Sequence, residues 1–225
     1  MEVCMILAIE TSAVICSVAF WEDGKILLEY TEKSPMQHAT VLAGFVEKGL
    51  NKLEKAATNK DISAVAVSIG PGSYTGLRIG LSYAQGICYG GNIPIVGISN
   101  HQVLAVQAEQ NSNEIFTIID ARRNEVYLAR HQNNQTYEIV EHKIEKLSDL
   151  AGVLPANCTL VIHEDITLVN ETIKLLNEKN IRLIPNVVYS AQFIADVADI
   201  KLKLNGSDNL EELEPLYIRP FAGVQ

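Results

Sequence analysis

The stretch Ser68-Ile-Gly-Pro-Gly-Ser-Tyr-Thr-Gly-Leu-Arg-Ile-Gly80 carries an apolar strand into a glycine-rich turn and then into a helix. α/β proteins hold phosphate with that order of elements, because a helix N-terminus presents free N–H groups and a partial positive charge. The spacing, however, is neither G-x-x-x-x-G-K-[ST] nor G-x-G-x-x-G. The stretch has no lysine, no carboxylate suited to Mg2+ follows it, and Pro71 lacks an N–H. Further on, Gly76, Gly80 and Ala84 recur every four residues and form a stripe without side chains on a helix from Tyr74 to about Tyr89. Each interior glycine costs about 1 kcal/mol of helix stability relative to alanine, so this helix must gain from packing. A small-residue stripe lets another backbone come close. On the residues alone two readings stay open: the helix lies on the protein's own sheet, or it meets a partner helix. Arg78 sits near the helix start, where a cation is mildly unfavourable. It is a surface arginine or a contact to a partner carboxylate.

Working outward, Met5–Ile9 reads as a buried strand, and Ile15–Trp21 and Lys25–Tyr30 as a hairpin around Asp23-Gly24. A helical pattern runs to about Glu54, with Leu42, Val46, Gly49 and Leu53 on one face and Val41 and Phe45 beside them. Ala64–Ile69 and Ile95–Ile98 are short apolar strands, and Asn100–Gln110 is a helix. The first half thus reads β-β-β-α-β-α-β-α, a mixed sheet with helices on its faces. The second half has strands at Ile115–Asp120, Val126–His131, Tyr137–Lys143 and Thr159–Ile162, and helices near Thr167–Asn177 and Ala191–Leu204. A boundary near residues 100–114 divides the chain into 1–105 and 106–225, with no repeat visible between the halves.

The chain has 225 residues, 48% of them apolar, which suffices for a real core. Its net charge of −9 argues against strong nucleic-acid binding by this chain alone, since such affinity comes largely from cations on phosphates. Cysteines at 4, 16, 88 and 158 form no C-x-x-C and read as buried thiols in a reducing cytoplasm. The apolar start is short, has no basic region and is interrupted by Glu10, so it reads as a first strand and not a signal peptide. No apolar run approaches the roughly 20 residues of a membrane span. A cytoplasmic protein is expected.

The first turn, Glu10-Thr11-Ser12, stands where actin-like and sugar-kinase-like ATPases carry an aspartate, a glycine and a Thr/Ser against Mg-ATP; here the glycine is missing. Two-lobed ATP binding also needs a glycine turn in the second half. Residues 101–225 hold only Gly152, Gly206 and Gly223, against eleven glycines before them. His38, His101, His131, His142 and His163 include no pair four apart, and H-E-x-x-H is absent. His163-Glu164-Asp165 would point to alternate faces of a strand. No serine lies in G-x-S-x-G. No catalytic, cofactor or metal residue is therefore assigned. Asp120-Ala-Arg-Arg-Asn-Glu-Val-Tyr127 reads as a charged hairpin turn or as a surface for a polar partner.

Four stretches together resemble the TsaB family (YeaZ-type, labelled glycoprotease-like). They are IGPGSYTGLRIG at 69–80, ILAIETSAVICSVAF at 6–20, DARRNEVY at 120–127 and EPLYIRPF at 214–221. The resemblance covers nearly the whole chain in order. It implies an actin-like, RNase H-like (ASKHA) double fold, two subdomains each with a mixed sheet flanked by helices, that has lost catalytic equipment. It implies a cytoplasmic, non-catalytic subunit for threonylcarbamoyladenosine formation in tRNA, which supports the homologous TsaD subunit. That subunit transfers the threonylcarbamoyl group to the adenosine next to the anticodon. A TsaE-like ATPase docks near the junction, tRNA is met only through the complex, and the chain alone self-associates as a homodimer. The family packs its first two helices against those of TsaD. This makes Val41 and Phe45 on the first helix, and Gly76, Arg78, Gly80 and Ala84 on the second, the candidate partner interface. Glu10 stands where many relatives have aspartate, which weakens any inherited nucleotide role. Competing readings are an independent actin-like small-molecule kinase or ATPase and a metalloprotease.

Overall fold

The computed structural model describes residues 5–33, 37–58, 61–108, 114–132 and 134–219. They divide into two compact units, Met1–Val103 with Tyr189–Leu216, and Leu104–Val188 with Tyr217–Gln225.

The first unit is a five-stranded sheet in the order β3-β2-β1-β4-β5. Its strands are β1 (Ile6–Glu10), β2 (Ile15–Glu22), β3 (Lys25–Lys33), β4 (Ala64–Gly70) and β5 (Ile95–Ser99). β1, β2 and β3 pair antiparallel, whereas β1, β4 and β5 are parallel. Asp23 and Gly24 close the hairpin with φ of 49° and 81°, the left-handed pair that matches strand twist. Strand alternation sorts the core. Leu7, Ile9, Val18, Phe20, Val65 and Val67 pack with α1 (His38–Leu53) and α2 (Tyr74–Gly91). The opposite face meets α6 (Ala191–Asn205), where the Trp21 indole donates to Asp196 at 3.1 Å. Beyond α6 the chain runs along the β5 edge. Asp208 bridges to Ile95 and accepts from the Gly97 N–H at 2.8 Å and from Lys201 Nζ. The Leu216 N–H donates to the Ile69 carbonyl at 2.7 Å. The edge is thereby closed to foreign strands.

The second unit repeats the same order with other strands, β10-β9-β6-β7-β8. They are β6 (Ile115–Arg122), β7 (Glu125–His131), β8 (Ile139–Lys146), β9 (Thr159–His163) and β10 (Arg182–Val187). β6, β7 and β8 pair antiparallel and β6, β9 and β10 parallel, as in the first unit. α4 (Leu150–Val153) and α5 (Asn170–Glu178) cover a core of Phe116, Ile118, Val126, Leu160 and Leu176.

Several expectations change. A single cut at 105/106 leaves residues 189–216 in the second half. In the structure they belong to the first unit, because α6 lays its apolar face on β1, β2, β4 and β5. The helix from Asn100 ends at Ala105 as α3, and its expected end, 109–110, lies outside the described residues. β8 starts two residues later than expected. β10, which contains Pro185, was not expected. It is an edge strand with a register shift between Ile184 and Val187, where proline is tolerated. The topological repeat also escapes a scan for sequence similarity, since it lies in the pairing order.

The second unit buries two histidines. His131 Nδ1–H donates to the Tyr137 carbonyl at 2.8 Å, and Nε2 accepts from the Thr117 hydroxyl at 2.9 Å. Burial lowers its pKa from 6.5 to about 4, against the hydrogen bond to Tyr137. Burial likewise lowers that of His163. A depressed histidine pKa means that the unfolded chain binds the proton first, so stability is present above the unfolded value and lost on acidification. Unfolding monitored at stepped pH should show a loss of about 3 kcal/mol from His131 between about pH 6.5 and 4. His131→Gln should flatten that slope.

Candidate functional site

The turn after β1, the loop after β4 and the start of α3 meet at the C-terminal ends of parallel strands, where open α/β sheets take ligands. Glu10, Thr11 and Ser12 are all buried there. Glu10 Oε1 accepts from the Ser12 N–H and the Ser12 hydroxyl, both at 2.5 Å. The Ser12 carbonyl accepts from the Ser73 N–H at 2.7 Å. Ser73 in turn caps α2 by accepting from the Gly76 N–H at 3.2 Å. Asn100 Nδ2 donates to Ser12 Oγ at 2.6 Å and to the Pro71 carbonyl at 2.8 Å. The Gly70–Pro71 bond is cis, and Gly70 has a φ of 105°.

The N–H groups of Ser12, Ser73 and Gly76 are thus engaged within the chain. A phosphate here would also face a buried acid. Burial raises the pKa of Glu10, opposed by its bonds from Ser12 and by nearby Ser68. Asn100 was missed by sequence reasoning, although an asparagine between a strand end and a helix start is a recognisable capping signal.

The candidate interface residues fall into two groups. Gly76, Gly80 and Ala84 are buried, and they face the protein's own β1. A Cβ on Gly76 would stand 2.0 Å from the Thr11 carbonyl oxygen, and one on Gly80 2.3 Å from Thr11 Oγ1. The Thr11 hydroxyl donates to the Gly76 carbonyl at 2.8 Å. Assigning these three to a partner interface is therefore corrected: Gly76 and Gly80 make room for Thr11, and Ala84 is buried in the core. Val41 and Phe45 are half-buried on α1, and Phe45 stacks on Tyr30 with centroids 5.4 Å apart. Arg78 is exposed, its guanidinium 4.0 Å from the Tyr74 ring centroid. α1 and α2 touch, and their outer surface carries other glycines. A Cβ on Gly44, Gly86 or Gly90 would meet nothing within 4 Å.

Asp120–Tyr127 forms the β6–β7 hairpin. Arg122, Arg123 and Asn124 take successive φ of 65°, 59° and 60°, unusual for arginine. Asp120 steadies the turn by accepting from the Arg122 N–H at 2.8 Å. Glu125 pairs with Arg219, so DARRNEVY and EPLYIRPF meet in one ion pair; Pro220 and Phe221 lie outside the described residues. Among the described residues no three His, Cys, Asp or Glu side chains are grouped to hold a metal. Cys16, Cys88 and Cys158 are buried free thiols, and Cys4 lies outside the described residues. Among the described residues no helix is long and apolar enough to cross a membrane.

The pattern of the family described as "TsaD: tRNA N6-adenosine threonylcarbamoyltransferase" matches residues 31–198. The Escherichia coli tRNA threonylcarbamoyladenosine biosynthesis protein TsaB is 37% identical over 58% of this chain, and the chain spans 56% of that relative's length. A Pseudomonas aeruginosa protein with similarity to peptidase YEAZ shares the fold, with a TM-score of 0.76, 24% identity, and coverage of 96% of this chain and 100% of that one. A Thermus thermophilus ROK hexokinase shares the actin-like architecture at a TM-score of 0.53 and 8% identity, over 88% and 99% of the two chains.

The Thr11 contact predicts that Gly76→Ala and Gly80→Leu destabilise the isolated chain, each by about 1–3 kcal/mol in urea unfolding. Arg78→Ala on the same helix should change stability by no more than about 0.5 kcal/mol.

Proposed function

The chain belongs to the family described as TsaD: tRNA N6-adenosine threonylcarbamoyltransferase, among its TsaB (YeaZ-type) members, and we propose that it serves there as a non-catalytic subunit. In this reading it binds a TsaD-type homologue through α1 and α2 and supports transfer of a threonylcarbamoyl group to the adenosine next to the tRNA anticodon. A TsaE-like ATPase joins the assembly, and tRNA is held mainly by partners, in keeping with the net charge of −9. Alone, the chain self-associates through the same helices, and it works in the cytoplasm.

The observation that carries this reading is the outer surface of α1 and α2. Gly44, Gly86 and Gly90 weaken their helices by about 1 kcal/mol each relative to alanine. Among the described residues a Cβ at these positions would meet nothing within 4 Å, so no packing return is seen there. Glycines that serve no internal contact fit helices that another backbone approaches closely. Half-buried Val41, Phe45, Ile79, Tyr83 and Ile87 supply apolar area on the same pair of helices. The engaged N–H groups around Ser12 support the non-catalytic part of the reading.

Two measurements follow. Purified protein should show no ATP turnover; turnover abolished by Glu10→Ala would favour the kinase reading instead. Gly44→Leu and Gly86→Leu should leave the monomer folded, with unchanged or slightly raised melting temperature. They should weaken both self-association and binding to a TsaD-type protein about ten- to a hundredfold by sedimentation or calorimetry. Unchanged affinities in both variants would move the interface elsewhere.

A further inference from the structure

Glu10 is fully buried at the end of β1, and only one of its oxygens is satisfied. Among the described residues neither Oε2 nor the Ser68 hydroxyl makes a well-formed hydrogen bond, although Ser68 stands close enough to act on the acid. Ser68 stands on β4 one step past the last paired positions, Ile9 and Val67, which puts it beside Glu10. An ionised carboxylate would bury a full negative charge with no cation paired to it, an expensive arrangement even beside a hydroxyl. A proton on Oε2 turns that oxygen into a donor, and a hydroxyl such as that of Ser68 is an acceptor.

Among the described residues no lysine or arginine is paired with Glu10. Cys16 on β2 is a neutral thiol, pushed up to about 12 by burial and by the charges of Glu10 and Glu32. On α3 the titratable group is buried His101. α2 turns Gly76, Leu77 and Gly80 inward and leaves Arg78 exposed. On α6, Asp196 accepts from Trp21 and Asp199 pairs with Lys203. Burial is the largest influence on Glu10, and it favours the neutral acid.

We propose that Glu10 carries its proton on Oε2 in the folded protein at neutral pH. The neutral acid is the latch that ties the turn after β1 to the loop opening α2. The tie runs from Oε1 through Ser12 to Asn100 and the Pro71 carbonyl, and from the Ser12 carbonyl to the Ser73 N–H. Loss of the proton leaves a buried negative charge with no cation paired to it. The turn then relaxes toward water and the first turn of α2 loosens with it.

The sign is fixed by linkage. An acid that keeps its proton on folding contributes stability that is full below the unfolded value of 4.5 and is lost as pH rises through the folded value. Glu10→Gln preserves the shape, still donates a hydrogen bond and cannot ionise. The ratio of folding equilibrium constants, wild type over Glu10→Gln, should therefore fall by up to about tenfold per pH unit above pH 5. Referring each pH to the variant removes the histidine contribution. Infrared spectra of wild-type protein at pH 7 should show the carbonyl stretch of a buried protonated acid, which disappears on alkaline titration. Hydrogen exchange at the Ser73 and Gly76 amides should quicken, relative to the variant, over the same pH range. A ratio that is flat or rises with pH overturns the proposal. If Glu10→Gln does not fold, the infrared band decides alone, and its absence at pH 7 is equally fatal.

Discussion

The first half of α2 must lie within backbone contact of Thr11. Its carbonyl oxygen occupies the space that a Cβ on residue 76 would need, and its hydroxyl fills that of residue 80. This one approach fixes the axial rotation of the helix. With Gly76, Gly80 and Ala84 turned to β1, the helical repeat turns Ser82, Gly86 and Gly90 to solvent. The inner face therefore decides which residues any partner meets. It also brings Ser73 against the Ser12 carbonyl, so the loop that opens the helix is closed by the same contact.

Much of the architecture was legible because local patterns agreed with the fold. The Asp23-Gly24 hairpin, the apolar runs of β1, β4 and β5 and the α2 boundary all follow from residue type within a short window. The stripe on α2 was legible as a packing surface but not in its direction. A period of four says that something comes close, and only the long-range position of Thr11 says what. The outer glycines were not assigned to an interface because Gly44, Gly86 and Gly90 sit on two helices whose adjacency no local pattern reveals. β10 contains Pro185, whose effect depends on whether a strand lies at an edge. Asn100 and Ser12 are 88 residues apart, and their bond is a tertiary fact.

The phosphate-type loop illustrates how a binding scaffold can be kept while its donors are redirected. Strand, turn and helix start remain in the order that cradles anions. Three N–H groups are given to groups of the chain: Ser12 to Glu10, Ser73 to the Ser12 carbonyl, Gly76 to the Ser73 hydroxyl. The result is a rigid corner that positions α2 without needing a guest. The hairpin of the second unit shows a similar economy. Its charged residues first hold a left-handed turn and then take the Arg219 pair.

The return of residues 189–216 to the first unit has a consequence in time. A chain made from its N-terminus exposes β1 to β5 first, but the face that α6 covers stays bare until residues 191–205 have been synthesised. The second unit's sheet, built wholly from residues 115–187, can close before that. The half whose helices are proposed to meet a partner is therefore covered only after the sheet of the other half has been made. Until α6 arrives, the exposed apolar strands of the first sheet are the segment of the nascent chain most in need of a chaperone.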